Sequence, residues 1–204
     1  MSGARLLVTG FGPFPGMPDN PSAVLARRIA ASPRLRAVLG RPARVLVLRT
    51  AYSALPEMLA PALAQEPAAV LMIGVAVRSR RLRVEDCARG RASRLRPDVS
   101  GRVGLPEPAA MPPLLRSRGA ARALACLRRH GIAVRASHDA GRYLCDAAYH
   151  RALRANPDAL FVHVPPVPRT RRPLGARPAR AAAPLLARAL AEVAVGLVMR
   201  ARRS

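Results

Sequence analysis

Short apolar runs alternate with stretches of helical spacing along nearly the whole chain, and this alternation restricts the fold to an α/β architecture on a largely parallel sheet. Arg5–Thr9, Arg44–Leu48, Ala69–Ile73, Ile132–Ser137 and Ala159–Val164 read as strands. Ala69–Ile73 is apolar throughout, as a strand covered on both faces requires. Between the strands, Asn20-Pro21-Ser22 reads as a helix start, with Asn20 at the cap and Pro21 at the first helical position, and that helix runs to about Ala31. Further helices are expected over Ser53–Gln65, Gly119–Arg129, Leu144–Ala155 and Ala181–Arg202. Ser79–Pro113, rich in Arg, Gly and Pro, reads as a β-excursion or a long active-site loop, and Pro165–Pro178 as a Pro/Arg-rich loop. The fold class is therefore α/β: a single domain over residues 1–204, with a mostly parallel central sheet between helices in three layers.

A chain of 204 residues with half of them hydrophobic can bury a core and is not disordered for most of its length. Aromatics are only 3% and Trp is absent, so the core must be built from Ala, Val and Leu. The net charge of +24 suggests nucleic acid at first sight. Every one of the 35 basic residues is Arg, however, and they are spread over the whole length without interleaved aromatics or a reading motif. Nucleic acid is the weaker partner class on that pattern. The apolar stretch Leu185–Met199 carries Arg188 and Glu192, which argues against a membrane span. The N-terminal apolar run is too short for a secretory leader. With three cysteines (Cys87, Cys126 and Cys145) and no Cys-x-x-Cys spacing, a cytoplasmic location and no metal or cofactor are expected. Gly10-x-Gly12 lacks the third glycine of a dinucleotide fingerprint, since Pro15 stands in its place.

In open α/β sheets, ligands gather at the C-terminal ends of the strands. The Gly10–Phe14 turn, the segment after Gly74, the Asp139–Cys145 segment and His163 are assigned there. Ser137–Cys145 leads from a strand through a Gly-containing turn into a helix, so Cys145 falls in the first helical turn. Free backbone N–H groups and the positive end of the helix dipole favour a thiolate at that position and can receive an oxyanion. Cys126, in mid-helix, reads as core. His163 lies on the strand that follows the helix of Cys145, and a right-handed crossover would put both at one edge of the sheet. A Cys nucleophile needs such a base within hydrogen-bond reach. The base needs an orienting acceptor, for which Glu85, Asp86, Asp98, Asp139 and Asp146 are the available acids. Taken by itself, Glu85 reads as a surface ion-pair partner in an arginine-rich stretch.

These segments resemble the pyroglutamyl peptidase I family. Gly10-Phe11-Gly12-Pro13-Phe14 with Asn20-Pro21-Ser22 is similar to its N-terminal signature, and Gly74-Val75-Ala76 stands at the family's distance from a catalytic Glu at Glu85. Ser137-x-x-Ala140-Gly141-x-Tyr143-x-Cys145 resembles the nucleophile motif and Phe161-x-His163-x-Pro165 the histidine motif. The resemblance implies a phosphorylase/hydrolase-like fold, no cofactor, possible self-association, and removal of N-terminal pyroglutamate from peptides by thiol acyl transfer and hydrolysis. It implies Cys145 as nucleophile, His163 as base and Glu85 as orienter, with Phe11 and Phe14 flanking the lactam ring and Asn20 ordering the pocket turn. The chain departs from the family pattern at Val75, Val77, Arg78, Ser79, Arg89, Gly90, Leu95 and Asp146. Two other readings follow: a divergent member whose substrate has been lost or altered, and a basic nucleic-acid-binding protein on the same scaffold.

Overall fold

The computed structural model describes residues 5–104, 114–166 and 183–203. A six-stranded sheet forms its centre, built from β1 (Leu6–Phe11), β2 (Arg44–Leu48), β3 (Ala69–Val75), β4 (Leu82–Glu85), β7 (Val134–Ser137) and β8 (Leu160–Val164) in the order β2-β1-β3-β8-β4-β7. β5 (Cys87–Ala88) and β6 (Leu115–Arg116) make a separate antiparallel pair. Neighbouring side chains on a strand point to opposite faces, and the sequence fills both faces with apolar groups. Leu6, Val8, Leu71, Ile73 and Val162 pack under α1 (Pro21–Ala30), α2 (Pro33–Leu39), α4 (Ala120–Arg129) and α6 (Ala183–Ala201). Leu7, Val70, Met72 and Phe161 pack on the other side under α3 (Ala60–Leu63) and α5 (Leu144–Ala155). The three-layer α/β expectation holds. Among the described residues no helix is long and apolar enough to cross a membrane.

Two local expectations are corrected, and the β-excursion expected within Ser79–Pro113 is given its place. The helix expected over Ser53–Gln65 is a wide π turn, Leu55–Leu59, that tightens into α3. Pro56 and Pro61 supply no N–H, and the Ala60 amide reaches back to the Leu55 carbonyl. Helix α2 was not expected, although Ser32 caps it, Pro33 opens it and Gly40 closes it at a φ of 71°. The Ser79–Pro113 stretch contains β4, an internal strand of the main sheet, as well as β5.

The sheet is mostly parallel, as expected, with one antiparallel pairing that changes the surroundings of α5. β1, β2, β3 and β8 are parallel to one another, but β4 runs antiparallel to β8, and β7 is parallel to β4. β7 and β8 are therefore antiparallel, with β4 between them. No right-handed crossover joins neighbouring parallel strands at α5; the loop after Ser137 and the packing of α5 on the sheet set its position instead. Three expectations fall outside the described residues: the end of the Ser79–Pro113 stretch from residue 105, the Pro165–Pro178 loop beyond Pro166, and the helix residues Ala181 and Ala182.

Candidate active site

The inserted strand β4 brings two charged side chains under α5. Its register sets Arg83 opposite His163 and Glu85 opposite Phe161. Val84 belongs to the core on the far face, so Arg83 and Glu85 point to the face covered by α5. Glu85 is wholly buried and His163 is 5% exposed. Their side chains meet directly, His163 Nδ1 to Glu85 Oε1, at 2.7 Å. Arg83 donates to the same oxygen through Nε at 3.0 Å, and its Nη2 stands 2.9 Å from that oxygen as an ion pair. A carboxylate oxygen only accepts, so Nδ1 carries a hydrogen, and in the neutral ring Nε2 then holds the lone pair. Glu85 is indeed an ion-pair partner, but a buried one. The Tyr149 hydroxyl, also buried, donates to the Glu85 backbone carbonyl at 2.9 Å and fixes the strand from the α5 side.

The histidine needs an open neighbour, and Gly74 provides it. Gly74 pairs with His163 across β3 and β8. A Cβ there would lie 2.6 Å from Cζ of Phe161 and 3.2 Å from Cδ2 of His163. The Phe161 and His163 rings lie 4.7 Å apart, so one glycine admits both.

Cys145 occupies the second position of α5. The first helical hydrogen bonds run from Asp146 and Ala147 to the Tyr143 carbonyl, so the Leu144 and Cys145 amides precede the ladder. Gly141, at a φ of 100°, makes the turn that leads into the helix. Cys145 packs against the apolar cluster containing Phe161 and Tyr149. Burial in that cluster, and then the charges of Glu85 and Asp146, push its thiol up to about 12, against the opposing pull of Arg83. A thiol raised in this way needs a base to take its proton before it can act as a nucleophile.

Asp146, also nearly fully buried, accepts the Arg91 amide at 2.6 Å and the Arg89 amide at 3.1 Å. It ties the segment after β5 to α5. That segment is further held by Tyr52, whose hydroxyl accepts the Ser93 amide at 3.0 Å, and by Tyr143, whose hydroxyl donates to the Pro97 carbonyl at 3.1 Å. The two tyrosine rings meet edge to face at 5.6 Å. Asp98 folds the next turn by accepting the amides of Tyr52, Ser100 and Arg102.

At the other end of the site, the Gly10–Phe14 turn is held by Asn20 and Thr50, whose side chains donate to the Gly12 carbonyl at 2.8 and 3.0 Å. Asn20 also accepts the Ser22 amide at 3.1 Å, so it caps α1 and orders the turn together. Phe11 is 4% exposed, with its ring 6.3 Å from that of Phe161. Phe14 is half-buried on the turn. Arg83, Tyr52 and Tyr149 were not singled out from the sequence, and Tyr143 only as a position of the nucleophile motif. Arg83 could have been found by its spacing of two from Glu85, which sets both on one strand face; the tyrosines had no such signal.

Comparison with known proteins identifies the family. The pyroglutamyl peptidase family model matches residues 4–196. The chain belongs to the pyroglutamyl peptidase family. It is therefore an enzyme of that family's cysteine-peptidase type. A pyrrolidone carboxyl peptidase structure from Thermus thermophilus shares 33% identity, with 94% of this chain and 98% of that one covered at a TM-score of 0.75. The corresponding enzyme from Thermococcus litoralis shares 23% identity over 97% and 94% of the two chains, at a TM-score of 0.81. Pyroglutamyl peptidase I from Bacillus amyloliquefaciens shares 19% over 96% and 97%, at 0.76. These two show the same fold. No curated protein sequence matches the chain. Of the positions that depart from the family pattern, Leu95 is almost fully exposed and Val77 largely so, Ser79 closes a turn onto Ala76, and Asp146 is the buried anchor already described.

Proposed function

We propose that this chain removes N-terminal pyroglutamate from peptides, with Cys145 as nucleophile, His163 as general base and acid, and Glu85 as the group that orients His163. The observation that supports this most is the buried 2.7 Å bond between His163 Nδ1 and Glu85 Oε1 beneath the helix that carries Cys145. With Nδ1–H held by Glu85, Nε2 takes the Sγ proton and the thiolate attacks the carbonyl of the pyroglutamyl residue. The free amides in the first turn of α5 receive the developing oxyanion. His163 then returns the proton to the departing amine. A water deprotonated by the same nitrogen cleaves the thioester, which releases pyroglutamate and restores the thiol.

A neutral lactam ring suits an apolar wall with a few backbone hydrogen bonds. In this reading Phe14 lies against the ring, Phe11 supports the wall from within by packing on Phe161, and Asn20 keeps the turn in place through the Gly12 carbonyl. The test is release of a fluorophore from a pyroglutamyl amide under reducing conditions, with the prolyl amide as the comparison. Wild type is expected to cleave only the pyroglutamyl compound, and Cys145→Ala neither. Equal turnover by Cys145→Ala refutes the assignment of the nucleophile, and preference for the prolyl amide refutes the substrate.

A further inference from the structure

The guanidinium of Arg83 touches two parts of the site that are far apart in sequence. Nε and Nη2 hold Glu85 Oε1, and Nη2 also donates to the Asp139 carbonyl in the loop that leads to Cys145. Two donors, Arg83 Nε and His163 Nδ1, thus share Oε1, with Arg83 Nη2 in ion-pair contact with it, while Glu85 Oε2 is buried and has no hydrogen-bond partner among the described residues. Contacts to Oε1 from two directions, His163 on one side and Arg83 on the other, resist rotation of the carboxylate about its last bond. Building on the catalytic reading above, we propose that Arg83 is a positioning residue that locks the Glu85 carboxylate toward His163 and couples it to the nucleophile loop.

The chemistry favours Arg over Lys here. The planar fork reaches a carboxylate oxygen and a backbone carbonyl together, while an ammonium supplies the charge without the geometry. Arg83 also brings the positive charge that offsets Glu85 and Asp146 at the Cys145 thiol. The groups whose charge or titration bears on that thiol are Glu85, Asp146, Arg83, Tyr52 and Tyr143. Of these only Arg83 is a cation. Two separable effects follow from its removal: a displaced orienting carboxylate, and a thiol that ionises less readily.

The experiment compares Arg83→Met, Arg83→Lys, Cys145→Ala and the distant surface control Arg122→Met. It measures kcat and KM on the pyroglutamyl amide and the rate of Cys145 alkylation by iodoacetamide at pH 8. Arg83→Met is expected to lower kcat by about ten- to a hundredfold with KM held within about threefold, and to slow alkylation. Arg83→Lys is expected to restore the alkylation rate but only part of kcat, a split that a purely structural residue does not produce. Arg122→Met should behave as wild type. If Cys145→Ala is inactive while Arg83→Met matches wild type in both kcat and alkylation, the inference about Arg83 falls and the catalytic reading stands. Turnover by Cys145→Ala overturns the catalytic reading and this inference with it.

Discussion

Replacing Glu85 by Gln keeps the shape of the side chain and removes its charge from a wholly buried position. The wild-type Oε1 takes donors from His163 at 2.7 Å and from Arg83 Nε at 3.0 Å, with Arg83 Nη2 2.9 Å away as an ion pair. An amide oxygen serves these donors less strongly, and the loss of one charge-assisted bond to His163 is worth about 1.5–3 kcal/mol. If the amide nitrogen faces His163 instead, the hydrogen moves to Nε2 and the base is lost. Together these effects predict a fall in kcat of about 10²–10³, or roughly 3–4 kcal/mol of barrier, with KM little changed. The thiol is expected to respond in the opposite sense. The Glu85 charge is one of the forces that push Cys145 up to about 12, second only to burial, so removing it lowers the thiol and speeds alkylation by iodoacetamide at pH 8. The assay measures both rates on the same preparation. A variant with slower turnover and faster alkylation agrees with the reasoning. Loss of both rates together, or turnover within threefold of wild type, refutes it.

Gly74→Ala would place a Cβ 2.6 Å from the Phe161 ring and 3.2 Å from His163, so kcat should drop by at least about tenfold while thermal unfolding shows a cost of about 1–3 kcal/mol. Tyr149→Phe removes the 2.9 Å bond to the Glu85 carbonyl in a buried site, and denaturant unfolding should show a loss of about 1 kcal/mol with KM unchanged. Burial raises the Asp146 carboxyl above its ordinary value, against the Arg91 and Arg89 amides that lower it. Its ionised form therefore destabilises the fold as pH rises through that window, and any melting-temperature gain of Asp146→Asn should be larger at pH 7 than at pH 4.5. The same variant removes a negative charge beside Cys145, so alkylation should quicken.

Much of this architecture was readable in the chain because local signals and tertiary packing agree. α5 begins and ends where its flanking residues predict, at Leu144 and Ala155, and the Asn20-Pro21 start of α1 is realised as a cap. β4 reads only as a β-excursion or loop, not as an internal strand of the main sheet, because Leu82–Glu85 alternates apolar with charged residues inside an arginine-rich stretch. Glu85 is buried there because it meets His163 and the partly buried Arg83, and sequence spacing does not show that pairing. The antiparallel insertion of β4 is likewise a matter of which edge β8 offers. For the same reason Glu85 looked like a surface ion-pair partner when read from residues alone; the family resemblance, not its local pattern, singled it out. Asp146 follows the same logic, since the donors to its carboxylate are backbone amides more than fifty positions away.

The most direct test of the central claim is to quench the enzyme during turnover of a pyroglutamyl ester and map the acylated residue by peptide mass. The account predicts a pyroglutamyl thioester on the peptide containing Cys145, absent in Cys145→Ala and trapped in smaller amount in His163→Ala. A thioester on Cys87 or Cys126, or product formed by Cys145→Ala with no acyl-enzyme, would contradict it.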